Sequence, residues 1–220
     1  MKTNIKKITA AAILAALAFG ISALCNVVPI TLVPSLGFLH YDGKDVLIAI
    51  CGFIFGPLLA IAVSLVAALI ELAISSTGLI GMVMNFLSSA IFACTAAIIY
   101  KAMKNIKGAI VGLVCATVLT TAFMLGWNYL ITPLYMGISR SAVAALLVPA
   151  FLPFNLIKSG INTGITLIVY KPVVTALRKG GLVNERGSKA PTVKSGLTAL
   201  ITGLITLGVC IGAALYFKNA

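Results

Sequence analysis

Long uncharged apolar runs recur along this chain and constrain its fold more than any other feature. Residues 8–28 and 196–217 contain no charged side chain, and each is close to the length of about 20 residues that crosses a bilayer as a helix. Over the whole chain, 61% of residues are hydrophobic and only 9% are charged. The sequence therefore predicts an all-α integral membrane protein without a separate extramembrane catalytic domain.

Proline, glycine and charged residues divide the apolar sequence into seven predicted spans, or six plus one. We expect them over residues 8–28, 45–56, 57–75, 81–100, 107–130, 145–177 and 196–217. Asp45 is a candidate N-cap of the second span, which is so short that it must tilt or be shielded by its neighbours. Pro149 and Pro153 are expected to break the outer end of the long sixth span.

The beginning of the chain has an alternative interpretation as a secretory signal peptide, because lysines precede the first apolar run. Leu24 is bulky where a lipoprotein cleavage site requires a small residue before Cys25, which favours a retained helix. We predict a six-helix membrane domain over residues 1–178, a basic cytoplasmic linker over 179–195 and an additional transmembrane helix over 196–220.

The distribution of cationic residues predicts the orientation of the chain in the membrane. With a cytoplasmic N-terminus, the loops 29–45, 76–80 and 131–144 lie outside, and 12 of the 16 Lys and Arg residues lie inside, as the positive-inside rule requires. These twelve are Lys2, Lys6, Lys7, Lys101, Lys104, Lys107, Lys171, Arg178, Lys179, Arg186, Lys189 and Lys194.

Asn155 and Lys158 lie three residues apart, so a helix places both on one face at the outer end of the sixth span. Burying an amide and an ammonium near hydrocarbon is costly unless a partner or a polar ligand satisfies them. Lys158 can snorkel to the interface, whereas the shorter Asn155 cannot. The pair therefore predicts that a polar ligand binds here.

Several other polar and aromatic residues are predicted on the same side of the membrane. If they converge, aromatic walls with a few amide groups suit a flat heteroaromatic ligand that has several hydrogen-bonding edges. The aromatic residues also suit an interfacial belt, and the aspartates suit a solvated loop or a cap. The residues are Tyr41, Asp42, Asp45, Asn85, Trp127, Asn128, Tyr129 and Tyr135.

Other chemistry has few candidates in this sequence. Glu71 is an acid inside a long apolar stretch, so it is either a proton-relay carboxylate of an ion-coupled carrier or an interfacial or structural residue. The sequence has no G-x-x-x-x-G-K-[ST] loop, one histidine, and five scattered cysteines without a C-x-x-C pair. We therefore predict no catalytic residue and no metal site.

Ala12 and Ala16 lie four residues apart on one face of the first span. Such a smooth strip permits close approach of another helix, either from this chain or from a partner protein.

Taken together, these residues resemble the substrate-binding S components of energy-coupling factor (ECF) vitamin transporters, and within them the riboflavin-specific members. The resemblance covers roughly residues 5–178. It is carried by residues 12–17 (AILAAL), Met84-Asn85-Phe86, Asn128-Tyr129, Pro133-Leu134-Tyr135, and Leu152-Pro153-Phe154-Asn155 with Lys158.

This resemblance implies a six-helix S-component bundle that captures riboflavin at the outer face of a bacterial plasma membrane, with riboflavin as cargo and no cofactor. It implies that Asn128, Asn155 and Lys158 hold the ligand while the loop around Tyr41 closes the site. The Ala12/Ala16 strip would dock on a transmembrane coupling subunit, and two separate ATPase subunits would hydrolyse ATP. Further substrate-binding candidates are Asn85, Trp127, Tyr135 and Asp45. The seventh span departs from the six-helix pattern.

Alternatives remain open for the substrate and for the transport mechanism. Lys158, as the one strong cation expected in the site, would under-compensate the phosphate of FMN, which favours riboflavin. A pteridine, thiamin or pantothenate also suits the predicted site. A proton-coupled carrier that uses Glu71 is the alternative mechanism.

Overall fold

Helices account for nearly all of the part of the chain that a computed structural model describes, residues 2–34, 39–73, 78–181 and 193–219. Within these described residues, five helical segments are long and apolar enough to cross a membrane, and this confirms the prediction of an all-α membrane protein. In chain order, the helices are α1 (Lys2–Val27), α2 (Lys44–Phe55), α3 (Pro57–Leu72), α4 (Gly78–Met103), α5 (Ile106–Met136), α6 (Arg140–Leu146), α7 (Leu152–Lys179) and α8 (Val193–Asn219).

The short helix α2 lies inside the bundle. Its residues Ile48, Ala49, Ile50 and Cys51 are fully buried, and the helix packs against α1, α3, α4 and α7. After Lys44 and Asp45 the helix is apolar on every face, and such a helix is stable in this position because other helices surround it. Protein rather than lipid therefore shields this span of 12 residues.

The sequence prediction for the end of α5 was wrong. The helix continues past the predicted end near Leu130 to Met136, with Pro133 inside it. A proline this close to the C-terminus of a helix removes a single backbone hydrogen bond, and membrane helices tolerate such a loss. Gly137 ends the helix instead, because its φ of 65° lies in the left-handed region and its N–H bonds to the Pro133 carbonyl oxygen.

The predicted loop 131–144 is therefore much shorter than expected. Only three residues separate α5 from α6, whose N-cap Ser139 accepts a hydrogen bond from the Ala142 N–H at 3.2 Å. A π-helical turn, Leu147–Phe151, joins α6 to α7 and contains Pro149. The expected break at the outer end of the sixth span is thus a local change of helix type, which is a common feature near functional sites.

Smaller differences affect other boundaries. α1 begins at Lys2 rather than near Ile8, and α2 has Gly43 rather than Asp45 as its N-cap. α3 ends at Leu72, while the predicted end at Ser75 lies outside the described residues. Residues 182–192 of the predicted linker also lie outside them.

Glycines bring α8 close to α7. A Cβ atom on Gly164 would lie 2.9 Å from the Gly203 carbonyl oxygen, and one on Gly160 would meet Cys210 Sγ. The side chains of Leu207 and Phe217 on α8 also pack against an apolar cluster that includes Leu32 in the α1–α2 loop. The additional helix therefore packs on one side of the bundle, along α7.

Candidate functional site

A cavity of about 440 Å³ opens at the end of the bundle where α1, α3 and α5 finish and α4 and α7 begin. This volume lies within the range of about 300–1,000 Å³ that is typical of small-molecule sites. One part, here named the α5–α7 wall, consists of Met124, Asn128, Tyr135, Phe154, Asn155 and Lys158. A second part, the α1–α3–α4 wall, consists of Ser22, Cys25, Asn26, Glu71, Ile80, Gly81, Met84, Asn85 and Ser88. The loop residues Leu39, His40, Tyr41 and Asp42 complete the lining.

Asn155 is held in place by the turn that precedes α7. Its Nδ2 donates a hydrogen bond of 2.8 Å to the Phe151 carbonyl oxygen, at the end of the π-helical turn. Its Oδ1 accepts no hydrogen bond from any residue that the structure describes, although the side chain is 4% exposed. The amide is therefore buried in the cavity wall with an unused acceptor.

Lys158 lies one turn further along α7 and is also buried. Its Nζ lies 4.0 Å from Asp45 Oδ2, which is close enough for electrostatic attraction but too long for a hydrogen bond. Within the described residues, the ammonium has no closer polar partner. Asn155 and Lys158 together present an acceptor and a donor to the cavity, and a ligand with a matching edge would satisfy both.

Asn128 on α5 is anchored more completely. Its Nδ2 donates to the Met124 carbonyl oxygen at 2.7 Å, and its Oδ1 accepts a hydrogen bond from Thr132 at 3.0 Å. These bonds lock the side-chain orientation. The second N–H of the amide group is then the part that remains for a ligand.

A buried ion cluster supports the other side of the cavity. Lys44 Nζ lies 2.5 Å from Asp42 Oδ2 and 2.7 Å from Glu71 Oε2, and the lysine is only 1% exposed. Ser22 and Asn85 donate further hydrogen bonds to Asp42 and Glu71, respectively. This cluster joins the α1–α2 loop to the ends of α1 and α3 and to the start of α4.

Asp45 belongs to a second set of contacts behind the cavity. It accepts hydrogen bonds from Ser89 and from Asn162 Nδ2, the latter at 3.2 Å. Asn162 also accepts a hydrogen bond of 2.7 Å from the Tyr41 hydroxyl. Through these contacts, α7 and α4 hold the loop residue Tyr41 at the edge of the cavity.

Burial and nearby charges set the protonation states of Asp42 and Tyr41 in the α1–α2 loop. Burial raises the pKa of Asp42, but the attraction of Lys44 and then of Lys158 outweighs it, and the net pKa is lowered from 3.8. Burial, followed by repulsion from Asp45, raises the pKa of Tyr41 above its usual value of 10.0. Asp42 is therefore an anion and Tyr41 a neutral hydrogen-bond donor at physiological pH.

The structure brings together most of the residues that the sequence predicted to bind substrate. Six of the eight substrate-binding candidates line the cavity, namely Tyr41, Asn85, Asn128, Tyr135, Asn155 and Lys158. Asp45 lies behind the wall in the contacts described above. Trp127 does not line the cavity either and stacks on Phe123, with ring centroids 5.8 Å apart. That these residues bind a substrate stays a prediction.

Sequence reasoning did not nominate several polar residues of the cavity. Ser22 and Asn26 lie four residues apart in the last turns of α1, and that polar pair in an apolar helix was an available signal. Glu71 was considered only as a proton relay or an interfacial or structural residue. Its ion pair with Lys44 depends on a contact 27 positions away in sequence, which no local pattern reveals.

The Ala12/Ala16 strip lies on the outside of the bundle. Both alanines are exposed, whereas Leu14 and Ala15 on the same helix are buried. The small side chains therefore lie on the surface of the bundle, while the other face of α1 packs against α2 and α3.

Comparisons with known proteins agree with this architecture. A family model described as "ECF transporter, substrate-specific component" matches residues 6–170, so α8 lies beyond the matched region. A solved structure described as "Structure and mechanism of the S component of a bacterial ECF transporter" has a TM-score of 0.66 and 30% sequence identity. That match covers 80% of this chain and 99% of the other.

Curated relatives cover most of the chain as well. The chain is 31% identical over 180 residues to Riboflavin transporter RibU of Staphylococcus aureus (strain TCH60), covering 79% of this chain and 93% of the relative. It is also 31% identical over 177 residues to Riboflavin transporter FmnP of Bacillus subtilis (strain 168), covering 76% and 91%, respectively.

Proposed function

Because this chain belongs to the substrate-specific components of ECF transporters, we propose that it captures riboflavin and delivers it to a transport complex. The observation that carries the proposal is the joint exposure of Asn155 and Lys158 to one cavity of about 440 Å³. The names of the curated relatives, both riboflavin transporters, support this choice of substrate.

The chemistry of the α5–α7 wall suits the isoalloxazine ring of riboflavin. The pyrimidine edge of that ring carries several acceptor atoms around one imide N–H. Lys158 and Asn128 have N–H groups available for the acceptors, and Asn155 Oδ1 is available for the imide N–H. Phe154 and Met124 supply the apolar surface on which a flat ring packs.

The cavity faces the outside of the cell in this proposal. Lys101, Lys104 and Lys107 lie at the junction of α4 and α5, at the end of the bundle away from the cavity. The positive-inside rule then assigns that end and the N-terminus to the cytoplasm. Riboflavin would enter between the loop residue Tyr41 and the ends of the helices.

Transport requires partners in this proposal, because the chain itself has no P-loop for ATP hydrolysis. The exposed Ala12/Ala16 strip on α1 is the proposed contact with a transmembrane coupling subunit, to which separate ATPase subunits supply energy. The chain acts without catalysis of its own, and riboflavin is cargo rather than cofactor.

The absorption spectrum of the protein purified in detergent tests the substrate. Flavin bands, together with riboflavin released on denaturation and identified by mass spectrometry, are the expected result. A colourless protein that also fails to quench the fluorescence of added riboflavin would refute riboflavin as the ligand. Co-purification with ATPase subunits and ATP-dependent uptake test the partners.

A further inference from the structure

Glu71 contributes an unused acceptor to the α1–α3–α4 wall. Its Oε2 is occupied by Lys44 Nζ at 2.7 Å and by Asn85 Nδ2 at 3.4 Å. Its Oε1 is buried and has no hydrogen-bond partner among the described residues, and the residue is only 4% exposed. Because Glu71 also lines the cavity, a ligand there is in a position to supply the missing donor.

An unsatisfied carboxylate oxygen in a buried site is costly, since it has given up its hydrogen bonds to water. An ionised carboxylate only accepts hydrogen bonds, so its partner must be an N–H or O–H group. A second carboxylate or a phosphate would be repelled. The free oxygen therefore disfavours an anionic ligand and selects one that carries a hydrogen-bond donor on this side of the cavity.

Riboflavin offers such donors mainly on its ribityl chain. The edges of its ring carry mostly acceptors, and these suit the ammonium and amide groups of Lys158 and Asn128 on the α5–α7 wall. The ribityl hydroxyls are donors, and they suit Glu71, which belongs to the α1–α3–α4 wall. We propose that Glu71 Oε1 accepts a hydrogen bond from a ribityl hydroxyl, making Glu71 a specificity residue for the polyol chain. This inference rests on the proposed function.

The test compares riboflavin with lumiflavin, which has the same ring but a methyl group in place of the ribityl chain. Dissociation constants of both flavins are measured by fluorescence quenching on the wild-type protein and on Glu71→Gln. Lys44 Nζ also lies 2.5 Å from Asp42 Oδ2, so the charge of the lysine stays paired in this variant. We expect the dissociation constant of riboflavin to rise about five- to tenfold and that of lumiflavin to change less than about twofold.

Thr120→Val is the matched control, because Thr120 is also buried with a side-chain oxygen that has no hydrogen-bond partner among the described residues, but it does not line the cavity. It should leave the ratio of the two dissociation constants unchanged. If Glu71→Gln fails to fold, Glu71→Asp, which keeps a carboxylate for Lys44 but draws it back by one methylene from the cavity, is measured in the same way.

Each outcome decides the inference. An equal loss of affinity for both flavins, or no loss for either, would show that Glu71 does not recognise the ribityl chain. Wild-type protein that binds lumiflavin as tightly as riboflavin would overturn the inference regardless of how the variants behave. Wild-type protein that binds neither flavin would refute the proposed function, and this inference with it.

Discussion

Lys44 Nζ lies 2.7 Å from Glu71 Oε2, so a buried ammonium ties the first residue of α2 to the last turn of α3. Asp42 completes this ion cluster from the loop, and Asp45 lies beside Lys158 in the neighbouring contacts. Three of the four acidic residues of the chain thus surround one cavity. The ion pairs fix the ends of helices whose side chains form the walls.

Removing the central cation should destabilise the fold. Lys44→Met leaves Asp42 and Glu71 buried without their shared partner, and breaking a buried ion pair in this way costs about 3–5 kcal/mol. The midpoint of thermal unfolding in detergent should fall sharply. Lys101→Met removes an exposed lysine and should leave the midpoint nearly unchanged. Equal stability of the two variants would show that the ion cluster does not stabilise the bundle.

The α5–α7 wall should dominate affinity. Asn155→Ala and Lys158→Ala should each weaken riboflavin binding by at least about 1.5 kcal/mol, the usual cost of losing a hydrogen bond to a buried or charged partner. Fluorescence quenching measures the dissociation constants. Lys104→Ala, an exposed change at the other end of the bundle, is the control. Unchanged affinity in both cavity variants would refute this site.

The phosphate of FMN should be excluded. The three carboxylates Asp42, Asp45 and Glu71 outnumber the two ammonium groups Lys44 and Lys158, so the surroundings of the cavity carry a net negative charge. FMN should therefore bind at least about tenfold more weakly than riboflavin, because the carboxylates repel its phosphate and Lys158 is the one Lys or Arg among the described residues that line the cavity. Competition against bound riboflavin measures the difference. Equal affinity would contradict this charge argument.

A substitution on α1 should block docking on a partner without affecting riboflavin binding. Ala12→Trp adds a large side chain to the exposed strip, so it should block the approach of a partner helix and stop uptake, while riboflavin binding stays intact. Val118→Trp on the exposed face of α5 should affect neither property. If Ala12→Trp instead abolishes binding, the strip packs within this chain rather than against a partner.

The close contact between α7 and α8 requires a residue without a side chain at position 164. Gly164→Leu should lower the free energy of unfolding by about 1–3 kcal/mol, because the new Cβ would lie 2.9 Å from the Gly203 carbonyl oxygen. Gly208→Leu is the matched control on α8, since nothing lies within 4 Å of a Cβ at that position. The two thermal midpoints are compared, and equal values would contradict close packing at Gly164.

Membrane topology alone allowed part of the candidate site to be predicted from the sequence. Successive spans run in opposite directions, so the ends of odd-numbered spans and the beginnings of the next ones share one side of the membrane. That argument placed Asn85, Asn128 and Asn155 on the same side, and all three line the cavity. It could not resolve rotation about a helix axis. Trp127 precedes Asn128 but points about 100° away from it, outside the cavity.

The sequence by itself determined that this chain is a helical membrane protein. Hydrophobicity and span length are local properties of a segment, and they decide whether it can cross a bilayer as a helix. It also determined the positions of the main helices and a set of polar residues too costly to leave unpaired in lipid. Only the tertiary structure decided which of these residues meet. The partners of Glu71 and Asp45 come from distant helices, and their contacts depend on helix rotation and packing that no single segment encodes.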